Sequence, residues 1–100
     1  MLFLYDRTLA YVMKNRSRTD IITMILEAAR TGVTKTKIMY KAYLSYTQLV
    51  EYLKYLEQND LLTYDTDTQL YRPTKKGSKF LTMSHDLNEM TVVANPNTSN

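Results

Sequence analysis

The side chains able to do chemistry in this chain form one sparse set and one dense one. The sparse set is catalytic. His85 is the sole histidine and there is no cysteine. The chain therefore lacks His-x-x-x-His and thiolate clusters for a metal, and no Ser–His or Cys–His pair offers a nucleophile. The acids are scattered, with Asp65 and Asp67 together only in a polar turn, and no glycine-rich loop is present to cradle a phosphate. This inventory points away from an enzyme, a metal and a cofactor. The dense set is basic. Lys14, Arg16, Arg18, Arg30, Lys35, Lys37 and Lys41 outnumber Asp20 and Glu27 over one stretch, and Arg72, Lys75, Lys76 and Lys79 follow with no acid among them. The net charge is only +3, so the distribution carries the signal. Clustered cations of this kind are the footprint of a protein that contacts phosphate.

Positioning those cations requires elements. Thr34 is an N-cap for a helix over Lys35–Ala42, and Ser45 with Gln48 forms the S-x-x-Q capping box of a second helix over Tyr46–Gln58. The link through Tyr43 and Leu44 leaves room only for a tight corner, which makes the pair a helix-turn-helix. At about 100° per residue, Leu49, Leu53 and Leu56 form the buried stripe of the second helix, flanked by Tyr52 and Tyr46. Thr47, Glu51, Lys54 and Gln58 lie opposite. A helix in a DNA major groove reads bases with its N-terminal turns, so Thr47, Gln48, Val50 and Glu51 are the candidate base contacts. Glu can accept from a cytosine amine, Gln can pair with adenine, and the Val and Thr methyls can touch a thymine methyl. Gln48 cannot close the capping box and read a base together. The alternative is that all four are ordinary solvated residues. The phosphate candidates are Lys35, Lys37, Lys41, Lys54, Arg72, Lys75 and Lys76.

Leu61–Tyr64 and Gln69–Arg72 read as two strands joined by a polar turn, a hairpin in the position of a wing. Asp65–Thr68 contains no glycine, so a four-residue loop is expected over a two-residue primed turn. Its acids would repel phosphate. Upstream, Ser17–Asp20 has the S-x-x-D form of a helix start. That helix is expected to run to Thr31 and stop at Gly32. Ile22, Ile25, Leu26 and Ala29 face the core, and Met24 lies off that stripe and marks a contact with another segment. Val33 begins an extended link that pairs with the wing. Ile38 and Met39 are core positions. Tyr40 and Tyr43 are either half-buried aromatics or hydroxyl donors to phosphate. Thr74 caps a last helix from Lys75, in which Phe80 and Leu81 reach the core. His85 faces away from the apolar stripe, into solvent.

The run from Arg18 through Asp65 followed by YRPTKKGSKFL resembles the small archaeal winged-helix DNA-binding proteins, a group that includes a dimeric chromatin-associated protein and many predicted transcriptional regulators. The resemblance covers about Arg16 to Leu81. Its most specific pieces are ILEAARTGVTKTKIMYKAYLSY, the L-x-x-Y-L-x-x-L-x-x-N-x-L-L run and Y-R-P-T-x-K-G. It implies a homodimer on double-stranded DNA. Two departures stand out. Asp60 replaces the glycine usual after the second helix, where Asn59 is able to take the left-handed cap conformation. The segment after the last helix is short, where chromatin-type relatives carry a long coiled coil.

The expected fold is mainly α with a small β-hairpin: a winged helix-turn-helix plus a C-terminal helix. It divides into an N-terminal extension (1–16), the winged domain (17–82), the end of the C-terminal helix (83–93) and a disordered polar tail (94–100). Leu2, Tyr5, Leu9, Val12 and Met13 share a helical face. They form either a short amphipathic helix or an upstream extension of little consequence. Met83, Leu87 and Met90 project past the domain and form the expected dimer contact. No apolar run approaches the roughly 20 residues that span a bilayer, so a cytoplasmic protein without a membrane partner is expected. The leading function is transcriptional regulation by DNA binding. The alternatives are an architectural DNA-binding protein of the nucleoid and a winged helix used for protein contacts.

Overall fold

The computed structural model describes residues 15–94, the side chains of 91–94 excepted. The expected N-terminal stripe and the tail from 95 onward lie outside the described residues. Within them the order is α1 (Arg18–Ala28), α2 (Lys35–Lys41), α3 (Tyr46–Gln58), β1 (Leu62–Asp65), β2 (Leu70–Pro73) and α4 (Lys75–Ala94). This is a winged helix-turn-helix with a C-terminal helix.

Each helix starts where a short polar side chain meets its exposed N–H groups. Ser17 and Asp20 close a reciprocal capping box on α1, and Thr34 Oγ1 accepts from the Lys37 N–H at 3.2 Å on α2. Ser45 and Gln48 close a second box on α3. The stops are less regular. α1 ends at Ala28, not Thr31. Ala29 is fully buried at the corner, and a turn follows in which the Gly32 N–H donates to the Ala29 carbonyl. Gly32 then takes φ +86° and redirects the chain into Val33.

α3 ends in a Schellman arrangement. The Leu61 N–H reaches the Leu56 carbonyl at 2.8 Å, and the Asp60 N–H reaches Glu57 at 3.1 Å. That pattern puts the left-handed residue one beyond the cap. Asp60 holds it at φ +58°, and Asn59 is the cap at φ −95°, which corrects the expectation for Asn59. The Asn59 amide is used instead to donate to the Tyr55 carbonyl.

The two strands pair antiparallel, with Leu62 opposite Pro73 and Asp65 opposite Leu70. Both lie one residue later than expected, because Leu61 is consumed in closing α3. The loop is four residues, Thr66–Gln69. The Asp65 carboxylate accepts from the Asp67 and Thr68 N–H groups, and Gln69 turns at φ +61°. Val33 exchanges backbone hydrogen bonds with Tyr71 in both directions, so the expected link to the wing forms a third, single-bridge strand.

The core gathers Ile21, Ile22, Ile25 and Leu26 of α1, Ile38 of α2, the α3 leucines, Leu62 and Tyr71 of the wing, and Leu81 of α4. Ile21 belongs to it although it lay off the expected stripe. Tyr46 does not: it is 61% exposed, because Lys35 rather than the core lies against its ring. Met39 and Phe80 are half-buried at the margin.

The Y-R-P-T-x-K-G segment is the joint between wing and α4. The Thr74 hydroxyl donates to the Asp60 carbonyl at 2.6 Å and accepts from the Gly77 N–H at 2.9 Å. Gly77 is buried, and a β-carbon there would sit 2.1 Å from the Leu61 carbonyl oxygen. Helix propensity favours alanine over glycine by about 1 kcal/mol, whereas overpacking costs roughly 1–3 kcal/mol. The clash is with backbone, which yields least, so Gly77→Ala is expected to lower the denaturant midpoint. An unchanged or raised midpoint would mean that α4 does not lie against Leu61.

Candidate nucleic-acid interface

α3 divides its surface among three tasks. Leu49, Leu53 and Leu56 anchor it, at 4% exposure or less. Thr47, Glu51, Lys54 and Gln58 form an outward ridge, all exposed. Between them run two flanks. The flank toward the wing carries Tyr46, Val50 and Glu57. It borders a groove of about 350 Å³ lined also by Lys35, Leu53, Lys54 and Tyr71. The flank toward α1 carries Gln48, Tyr52 and Tyr55, with the Arg18 guanidinium stacked over the two rings.

Of the expected base contacts, Thr47 and Glu51 stand on the ridge and Val50 on the wing-side flank, 42% exposed. The Gln48 carbonyl oxygen accepts from the Ser45 N–H at 3.0 Å. A two-point pairing with adenine needs that oxygen as well as the amide nitrogen, so the side chain belongs to the capping box here.

The basic residues separate in the same way. Lys35 lies 5.9 Å from the Tyr46 ring centroid and sits between α3 and the wing. Lys37 and Lys41 are exposed on α2, and Lys75 on α4. Arg72 is exposed, its guanidinium laid against the bare backbone of Gly32, where a β-carbon would be 2.7 Å away. Lys76 instead donates to the Asn59 carbonyl at 3.0 Å, at the C-terminal end of α3. That is roughly 20 Å along the helix from the capping box.

Arg16 counted only as charge in the sequence. In the structure it is a brace. Its two terminal guanidinium nitrogens, Nη1 and Nη2, donate to the carbonyls of Ala42 and Tyr43, each at 2.5 Å, and Nη1 also touches the Met24 sulfur at 3.4 Å. Met24 thus meets another segment, as expected. The two carbonyls belong to the corner between α2 and α3, where Tyr43 takes φ +52°. Tyr40 is 69% exposed and so departs from the half-buried alternative, whereas Tyr43, at 46%, is about half covered.

The wing tip is acidic. Backbone N–H groups, Asp67 first and then Thr68, hold the Asp65 carboxyl below its ordinary pKa, so it stays charged at neutral pH. Behind the tip, Tyr64 and Tyr71 pack at 4.7 Å between centroids. Burial raises the Tyr71 phenol above its ordinary pKa, with Glu57 and Tyr64 adding to the effect. His85 is largely exposed, as expected, with Nε2 3.7 Å from a Glu27 carboxylate oxygen, and Arg30 pairs with the other oxygen of that carboxylate. Among the described residues no three His, Cys, Asp or Glu side chains gather as a metal site, and no helix is long and apolar enough to cross a membrane.

Met83, Leu87 and Met90 are 58%, 60% and 63% exposed. α4 packs along α1, with the Ser84 hydroxyl 3.2 Å from that of Thr23.

A family model described as winged helix-turn-helix matches residues 15–92. No curated protein matches the chain.

Proposed function

The chain belongs to the winged helix-turn-helix family, and from that premise we propose that it is a cytoplasmic transcriptional regulator that binds double-stranded DNA as a homodimer, with α3 in the major groove. One observation carries this reading. The outward ridge of α3 is exposed from its first turn, while the capping and packing of the helix are met by other side chains. Thr47, Val50 and Glu51 are then the base contacts, and Gln48 stays with the cap. Lys35, Lys37, Lys41, Lys54, Arg72 and Lys75 face phosphate, while Lys76 secures the end of α3. The acidic wing tip stays away from the backbone.

Dimerisation is assigned to α4. Three apolar side chains at spacings of four and three line its distal part, and burying each contributes roughly 1.5–3 kcal/mol. A two-fold dimer would present two α3 helices about 34–36 Å apart, one turn of the duplex.

The test of DNA binding is electrostatic. Each phosphate neutralised contributes about −0.9 to the slope of log affinity against log salt. Lys37→Ala/Lys41→Ala is expected to weaken binding alike on all sequences and to flatten that slope. An unchanged slope would remove the α2 face from the interface. Absence of binding by the wild type at low salt would favour a protein partner, for which the exposed tyrosines of α2 and α3 are suited.

Light scattering tests the oligomer. The wild type is expected to be dimeric and Leu87→Asp monomeric. A monomeric wild type would contradict the assignment, and a dimeric variant would move the interface off α4.

A further inference from the structure

An α-helix with its side chains is about 10–12 Å across, and the major groove of B-DNA is about 12 Å wide. A helix seated there meets a phosphate wall on each flank. The wing-side flank of α3 has its cation in Lys35, beside Tyr46 and Val50. The opposite flank is built from Gln48, Tyr52 and Tyr55, none of them charged. The cation on that side comes from another helix. Arg18, the first residue of α1, places its guanidinium carbon 4.8 Å from the Tyr55 centroid and 5.8 Å from that of Tyr52. Arg18, Glu51, Tyr52 and Tyr55 together line a cleft of about 110 Å³.

We propose that Arg18, shelved on Tyr55 and Tyr52, contacts phosphate on the DNA strand opposite the one met by Lys35. This rests on the reading of α3 as a helix seated in duplex DNA. Three features of the site lead to it. The two rings hold the guanidinium in the cleft, and its N–H groups are donors suited to phosphate oxygens. Arg18 is exposed and, among the described residues, enters no ion pair, although Glu51 lines the same cleft. The Ser17–Asp20 capping box pins the backbone from which Arg18 projects. Glu51 gains from the arrangement. A carboxylate on the ridge is repelled by nearby phosphate, and a guanidinium between them screens that repulsion.

Two measurements test the assignment on the full chain. The first replaces single phosphates of a bound duplex by neutral methylphosphonates. Affinity of the wild type is expected to fall at positions on both strands of a half-site, and the loss on one strand is expected to vanish in Arg18→Ala. The second is the salt series. Arg18→Ala should reduce the slope by about 0.9 per bound chain. Arg18→Lys should keep the slope and lose about two- to fivefold in affinity with the stacking. Arg30→Ala, a surface control paired with Glu27, should match wild type. Losses confined to one strand, or an Arg18→Ala slope equal to wild type, would overturn the role of Arg18 while leaving DNA binding intact. A wild type that binds no duplex would overturn both readings.

Discussion

The corner at Tyr43 is the constraint on which the rest depends. A residue with a β-carbon in the left-handed region costs roughly 1–2 kcal/mol, and turns of this kind commonly use glycine. Tyr43 occupies it at φ +52°. The strain is offset on all sides. Leu44 and Tyr43 donate back to the Met39 and Tyr40 carbonyls, and Ala42 and Leu44 are buried on either side. Arg16 then holds the carbonyls of Ala42 and Tyr43 in one fork. Charged donors make the stronger hydrogen bonds, and a cation suits the C-terminal end of α2. The angle at which α3 leaves α2 is set here, and with it the direction of the whole exposed ridge.

From that corner the division of labour along α3 follows. Its cap is closed by Ser45 and Gln48, its core side by three leucines, and its end by the Asp60 turn and Lys76. What remains outside is a mixed surface, with Glu51 beside Thr47 and Lys54, and an acidic wing tip beyond. A surface built for indiscriminate phosphate grip would carry cations at those places. An acid on such a ridge can accept from a cytosine amine, so the mixture favours selective reading over an architectural role.

The caps and the apolar stripes were legible in the sequence because both depend on neighbours three or four residues away. Ser17, Thr34 and Ser45 do what their local motifs require, and Leu49, Leu53 and Leu56 are where the helical period puts them. Contacts across the fold were not legible. Arg16 meets residues 26 and 27 positions away, and nothing local distinguishes it from Arg30. Arg18 reaches Tyr55 across the domain, and Gly77 is fixed by the Leu61 backbone. Tyr46 went astray because its ring satisfies the apolar period yet rests against Lys35. Asn59 and Asp60 differ by one place in a cap whose register only the hydrogen bonds decide. The candidate ridge was therefore readable as a list of residues, but the brace and the second flank that position it were not.

Base reading by the ridge of α3 is open to direct test. The most direct measurement is to bind a pool of random duplexes, sequence what is retained, and repeat with Glu51→Ala and Thr47→Ala. A two-fold symmetric motif is expected for the wild type. Each variant should then change preference at a single position per half-site, by roughly 1–3 kcal/mol. Retained pools with no motif, or the same motif for wild type and both variants, would contradict it.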